Sequence, residues 1–421
     1  MQKPKGTYDV YGDLGKQIQY IEKVIGAMME KYHYEYVRTP IFESKELFHR
    51  GVGDSSDIVT KETYDFQDRA GREMTLRPEG TAGVVRSFIE NKLYGRATLP
   101  VKTWYYGPMF RYERPQAGRY REFYQFGVEV FGSNDPLIDA EIISIPVNIY
   151  RFLGLKGIKV KINSLGDEES RTAYKKALKE YFKPHVNELC EDCKVRFEKN
   201  PLRMLDCKVD HEKEIMKNAP TILSYLNKES EEHFKQLQNY LKAMEIPFEV
   251  DETIVRGLDY YTHTVFEVEA DIKEFGSQKV LCGGGRYNQL VETLGGPSTC
   301  GVGFAMGMER LLSALEKENI TFKEESLDCY LFALSENEKE YVAYLSNLLR
   351  MNGFSVTMDY NQKSFKANFK QVERLNPKFV LIIGEEEVKD KKITIKNNHT
   401  KKEEKIKEEH LIEYLDEEIE M

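Results

Sequence analysis

The sequence predicts a β-rich α+β domain interrupted by a charged helical block, followed by a small, separate α/β domain. Three observations carry that prediction. Strand-like, aromatic sequence fills residues 101–131 and returns at 262–268, 279–282 and 301–304. Between these stretches, from about Gly166 to Pro247, Lys and Glu dominate and β signals are few. After Ile320 a polar stretch, Thr-Phe-Lys-Glu-Glu-Ser, precedes a new alternation of strand and helix signals. The expected boundaries are 1–325 for the first domain, 166–250 for a helical insertion within it, and 326–421 for the second domain.

The elements follow in order. Ile18, Ile21, Val24, Ile25, Met28 and Met29 recur at helical spacing, which predicts an amphipathic helix over 15–32. Residues 36–42 form a short extended run, and Pro40, lacking an N–H for the ladder, marks its edge or end. Residues 101–131 read as two strands joined by a polar loop around Pro115-Gln116-Ala117-Gly118. A helix over 306–317 closes the first domain. In the second, strands are expected at 328–333, 355–358 and 379–383, and helices at 338–351 and through Lys370-Gln371-Val372. The tail from Glu385 alternates Lys with Glu and reads as a solvated face.

Composition excludes several classes. With 41% hydrophobic and 12% aromatic residues over 421 positions, the chain is a folded protein. A net charge of −9 argues against coating nucleic acid by bulk electrostatics, while leaving room for a local basic surface. No apolar run reaches the roughly 18–20 residues of a membrane span, and the N-terminal residues lack a secretory h-region. Six scattered cysteines make no disulfide framework. The expectation is a cytoplasmic protein with reduced thiols.

Four clusters carry chemistry. In Phe110-Arg111-Tyr112-Glu113-Arg114-Pro115-Gln116-Ala117-Gly118-Arg119-Tyr120-Arg121-Glu122-Phe123, arginines flank a loop between two strands. Planar guanidinium forks on two strands grip a polyphosphate; equally, they pair with Glu113 and Glu122 in a surface hairpin. On the following strand, alternation puts Phe123, Gln125, Gly127, Glu129 and Phe131 on one face. That face reads as a pocket floor, with Gly127 leaving room for a ligand. Leu76-Arg77-Pro78-Glu79-Gly80-Thr81 offers a carboxylate and a hydroxyl to an amino group, or caps the helix after it. Arg256-Gly257-Leu258-Asp259-Tyr260-Tyr261 brings a cation for a carboxylate or phosphate and two phenols. His263 just beyond reads as packed and hydrogen-bonded, not as a general base.

Two further features bear on chemistry. The block 301–312 reads strand, glycine, helix, with Arg310 in the first helical turn, where it opposes the helix dipole. Cys190-x-x-Cys193 with Cys207 and His211 has the look of a zinc site, but the second pair is wider and interrupted, so plain thiols are favoured. Neither G-x-G-x-x-G nor a P-loop motif occurs.

Taken in order, these motifs resemble those of the histidyl-tRNA synthetases, within class II of the aminoacyl-tRNA synthetases. Residues 15–42 with Pro40 resemble motif 1, residues 105–130 motif 2, and residues 301–312 motif 3. The stretches 76–81, 110–114 and 256–261, and the opening Pro4-Lys5-Gly6-Thr7-Tyr8-Asp9, resemble sequences specific to the histidine enzymes. Tyr112 stands where many relatives carry His.

The resemblance implies a mostly antiparallel sheet flanked by helices and a C-terminal anticodon-binding domain. It implies a homodimer with no membrane association, acting on histidine, ATP and histidine tRNA. Mg²⁺ would accompany ATP, with no tightly bound protein metal. Arg111, Arg256 and Arg310 would be catalytic. Glu79, Thr81, Arg111, Gln125, Glu129, Arg256, Tyr260 and Tyr261 would bind histidine. Arg111, Glu113, Arg119, Phe123 and Arg310 would bind ATP, and Gln116 would lie near the tRNA acceptor end. The rival is a regulatory paralogue, a histidine-binding subunit of ATP phosphoribosyltransferase. Such proteins typically lack the C-terminal domain and erode the arginine motifs, both kept here.

Overall fold

The computed structural model describes residues 1–53, 56, 58–116, 118–205, 207, 209–254, 258, 260–272, 275, 279–322 and 327–420. The chain divides into two compact units, Met1–Phe322 and Lys323–Met421.

In the first unit the strands are β1 (Glu35–Tyr36), β2 (Phe42–Ser44), β3 (Tyr64–Gln67), β4 (Glu73–Leu76), β5 (Val101–Phe110), β6 (Glu122–Phe131), β7 (Ile158–Ser164), β8 (Phe248–Val250), β9 (Thr262–Ala270), β10 (Val280–Arg286) and β11 (Gly301–Gly307). The helices are α1 (Gly12–Tyr32), α2 (Lys45–Val52), α3 (Thr81–Glu90), α4 (Pro136–Phe152), α5 (Glu168–Phe182), α6 (Glu191–Lys199), α7 (Glu214–Lys217), α8 (Lys228–Ala243), α9 (Leu290–Thr293) and α10 (Met308–Lys317). Eight strands form one sheet in the order β1-β5-β6-β11-β10-β9-β7-β8. Its pairs are antiparallel except β1 with β5 and β7 with β8. Strands β2, β4 and β3 make a separate small sheet.

Strand alternation divides the large sheet into two unlike faces. On one, Phe126, Val128, Val130, Phe266, Val268, Phe304 and Met306 are buried against the apolar stripes of α1, α4, α8 and α10. Ile21, Ile25 and Met29 of α1 supply the stripe read from the sequence. The opposite face is covered at one end by α3 and α9, through Val84, Val85, Phe88, Leu290 and Val291. The remainder of that face, among the described residues, lines a cavity.

A buried ion pair locks β10 to α4: Arg286 and Asp139, both fully buried, meet at 2.8 Å, and Arg286 also donates to the Ser133 carbonyl at 2.7 Å. Between β7 and β9 lie α5 to α7, with a small core of their own around Tyr174, Leu178, Phe182, Cys193, Met204 and Ile222, and α8, whose Phe234, Leu237 and Leu241 join the main core instead.

The second unit has β12 (Cys329–Ala333), β13 (Val356–Met358), β14 (Phe379–Ile383), β15 (Lys392–Asn397) and β16 (Glu403–Lys407), with α11 (Lys339–Met351), α12 (Phe365–Leu375), α13 (Glu385–Asp390) and α14 (Leu411–Glu420). Its sheet runs β13-β12-β14-β15-β16, parallel across the first three strands and antiparallel beyond. The charged tail is therefore more than a solvated face. Ile393 and Ile395 of β15, and Leu411 and Leu415 of the last helix, are buried in this unit's core. The apolar positions are sparse but periodic, and abundant lysines and glutamates masked the period.

Candidate active site

The face of the large sheet that carries α3 and α9 also holds a cavity of about 450 Å³, a size usual for small-molecule sites. Strand register makes its floor. Directly opposed residues point to the same side, so Glu267, Gly283, Ala305, Gly127 and Tyr105 form one row across five strands. Between the ends of that row no side chain exceeds a methyl group. The next row, Val265, Gly285, Gly303 and Glu129, repeats the pattern. Gly283, Gly303, Ala305 and Gly307 all line the cavity. These glycines are the feature missed at the sequence level, although small residues at every second position of 301–307 were a legible sign.

One wall is basic. Arg111, Arg119 and Arg310 line the cavity with Glu113 and Phe123. Arg111 donates from Nε to the Pro78 carbonyl at 2.9 Å and lies over the Phe123 ring, 5.3 Å from its centroid. Glu113 sits between two guanidiniums, 3.3 Å from Arg119 and 4.0 Å from Arg111. The two readings of the arginine hairpin are thus compatible: the arginines pair with Glu113 and also face the cavity. Arg310, at the third position of α10, donates to the Val280 carbonyl at 2.8 Å, which aims it across β10.

Other lining residues are acidic, amide and phenolic. Glu79 accepts from the backbone N–H groups of Thr81 and Ala82, both at 2.8 Å, so it caps α3 while lining the cavity. Burial pushes its carboxyl above the usual range, against the lowering effect of those two hydrogen bonds. Arg77 is structural: buried, it donates to Pro108 and Thr39 carbonyls at 2.9 and 3.0 Å and pins the turn to β5. Gln125 lines the cavity with its buried Oε1 lacking a hydrogen-bond partner among the described residues. Tyr260 and Tyr261 also line it, with ring centroids 4.7 Å apart.

Two expectations change here. The space above Gly127 is occupied by the Tyr105 ring, so this glycine makes room for a side chain of the neighbouring strand and not for a ligand. Glu129 lies behind the cavity lining: its carboxylate accepts from Thr81 Oγ1 at 2.7 Å and from the Tyr287 hydroxyl, beside Gly303. Complete burial raises its pKa to about 8, despite hydrogen bonds from Tyr287 and Thr81 that act the other way.

Other sequence-level sites fall elsewhere. Arg256 lies outside the described residues. Gln116 pairs with Arg119 across the loop tip. His263 is buried against His233, with ring centroids 5.2 Å apart, and burial holds its pKa down near 4. It is packed, as read, but its Nδ1 finds no hydrogen-bond partner among the described residues. Sequence reasoning overlooked Glu309, which lines the cavity and accepts from the Tyr8 hydroxyl at 2.8 Å and the Tyr124 N–H at 2.9 Å. It ties the N-terminal segment to β6 and α10.

A family model described as Histidyl-tRNA synthetase matches residues 6–311, and one described as Anticodon binding domain matches 328–418. The chain is 52% identical over 419 residues to a histidine–tRNA ligase of Geobacillus sp. (strain WCH70), covering 99% of each. Among solved structures it resembles apo histidyl-tRNA synthetase of S. aureus, with TM-score 0.85, 42% identity and 99% of each chain covered. It also shares its fold with a Bacillus halodurans C protein titled an ATP phosphoribosyltransferase regulatory subunit/histidyl-tRNA synthetase. That match has TM-score 0.66 and 22% identity, and covers 91% of this chain and 98% of the other. On full-length identity and the matched family model, this chain belongs to the histidyl-tRNA synthetase family.

Proposed function

We propose that this chain is a histidine–tRNA ligase. It activates histidine with ATP and passes the histidyl group to the 3′ end of histidine tRNA. The observation that carries this reading is one cavity whose lining joins Arg111, Arg119, Arg310 and Phe123 with Glu79, Thr81 and a Gln125 Oε1 that has no partner among the described residues. A triphosphate and planar base suit the arginines and Phe123, and an α-ammonium group suits the carboxylate, hydroxyl and amide oxygen.

In the first step a histidine carboxylate oxygen attacks the α-phosphorus of ATP, and the bond to the bridging oxygen breaks to release pyrophosphate. Charge gathers on the α-phosphate oxygens, where Arg111 and Arg256 stabilise it, while Arg310 holds the far phosphates. Arg119 exchanges Glu113 for the γ-phosphate, which frees the Glu113 carboxylate for the adenine amino group above Phe123. Glu79, Thr81 and Gln125 hold the α-amino group. Tyr260, Tyr261 and Glu129 surround the imidazole, with Glu129 acting through Thr81 and Tyr287. In the second step the terminal ribose hydroxyl attacks the adenylate carbonyl and AMP leaves, with Gln116 near the acceptor end.

Mg²⁺ would accompany ATP as part of the substrate and would neutralise charge on its phosphates, beside Arg310. The C-terminal domain, residues 326–421, reads the anticodon. A homodimer is supported by exposed Tyr36, Ile41, Phe42 and Phe66 around β1 and β2, and its site of action is the cytoplasm. Full-length identity to ligases, and retention of Arg111 and Arg310 in the cavity wall, favour the catalytic reading over the regulatory paralogue.

The test is amino-acid-dependent ATP–pyrophosphate exchange with each of the twenty amino acids, followed by charging of histidine tRNA. Exchange with histidine alone is expected. Histidine binding without exchange would transfer the protein to the regulatory class.

A further inference from the structure

Away from the cavity, the inserted helical block gathers four potential metal ligands: Cys190, Cys193, Cys207 and Asp210. One ligand atom from each lies within 4.8 Å of all the others, and among the described residues no other group of three or more His, Cys, Asp or Glu does this. Cys190 and Cys207 are 3.6 Å apart at sulfur, and Cys207 Sγ is 4.0 Å from Asp210 Oδ2. Zn–S bonds of about 2.3 Å in a tetrahedron place sulfurs about 3.8 Å apart, so this spacing suits one central ion. It is well beyond the roughly 2.05 Å of a disulfide.

The sequence reading paired Cys207 with His211. The fold corrects that. His211 points to Glu212 at 3.2 Å and is more than half exposed, whereas Asp210 is fully buried. The motif is therefore two i, i+3 turns, C-x-x-C and C-x-x-D, facing each other.

The surroundings are those of a ligand set. Cys190 N–H donates to Asp210 Oδ2 at 2.8 Å, and Asp210 N–H to Cys207 Sγ at 3.4 Å. Lys213 pairs with the other Asp210 oxygen at 2.7 Å and itself donates to the Glu188 carbonyl. Such partners orient ligands and offset their charge. Among the described residues of 183–225 the longest element is the nine-residue α6. Small folds of this kind commonly need a staple.

We propose that Cys190, Cys193, Cys207 and Asp210 bind one structural zinc ion that pins the inserted block. Three thiolates and one carboxylate in a closed tetrahedral set select zinc over the hard cations that accompany nucleotides. With four protein ligands there is no open position, so the ion holds the fold and takes no part in the ligase chemistry.

The test is metal analysis of the full-length protein purified with reductant and without chelator. One zinc per chain, surviving gel filtration, is expected. Protein loaded with cobalt should show thiolate-to-cobalt charge transfer and the d–d bands of tetrahedral coordination. Cys193→Ser and Cys207→Ser should lose the metal, while Cys300→Ser, outside the cluster, keeps it. Asp210→Asn should weaken affinity about tenfold or more. Far substoichiometric zinc after zinc-supplemented expression, a Cys190–Cys207 disulfide, or zinc retained in Cys193→Ser would overturn the proposal. If the serine variants fail to fold, the cobalt spectrum of the unaltered protein decides: absence of the charge-transfer band refutes it.

Discussion

At the scale of single residues, burial and pairing decide what each charge does. Glu129 has a folded pKa near 8 against an ordinary 4.5, so between those values the folded chain holds a proton that the unfolded chain has released. Stability therefore falls as pH rises through that window. Glu129→Gln removes this contribution, and urea midpoints measured across the window should fall less steeply than in the unaltered protein. Glu79 and Glu309 are raised in the same sense by burial, so the slope flattens without vanishing. Asp139 makes a second case. Asp139→Ala strands a fully buried guanidinium and should cost about 3–5 kcal/mol in urea unfolding, more than Asp139→Leu with Arg286→Met, which removes both charges. On the proposed chemistry, Arg111→Ala should slow pyrophosphate exchange by about 10²–10³-fold or more, and Arg256→Ala likewise, with circular dichroism unchanged. Near-normal turnover in either variant would remove that arginine from the mechanism.

Whole elements bring these residues together. The cavity exists because β10 and β11 carry glycine or alanine where side chains would otherwise fill the face, and register aligns those gaps with the row from Glu267 to Tyr105. The glycines of β10 also set strand spacing. A Cβ at Gly284 would meet the Gly303 carbonyl and the Phe304 backbone, neither of which can turn aside. Gly284→Ala should therefore destabilise by about 1–3 kcal/mol, read from urea unfolding, although Gly284 lies outside the cavity lining. A loss below a few tenths would mean that the sheet relaxes more readily than its paired backbones allow.

At the level of the molecule, the described cavity lies entirely within Met1–Phe322, and the second unit has its own five-stranded sheet and core. A chain ending at residue 322 should therefore keep histidine-dependent pyrophosphate exchange to within about tenfold while losing most tRNA charging. Equal loss of both activities would show that the second unit supports the cavity as well as the proposed anticodon contact.

The amino-acid sequence alone determined the fold class, because hydrophobic periodicity is local: α1, the pair β5 and β6, and the apolar run of β14 are each visible in a short window. It also showed which residues of β6 share a face, since alternation needs no partner. Element boundaries near glycine were harder. The strand-like sequence ends at 282, yet β10 runs on through residues 283–285 to Arg286, because strands on both sides pair with its backbone whatever the side chains. Which residues from distant stretches meet was decided only by tertiary structure: Glu129 with Tyr287, Glu309 with Tyr8, and Asp210 instead of His211 beside the three thiols. Those meetings depend on register between strands and on the turn a loop takes, which are set by packing across the whole unit and leave no local period to read.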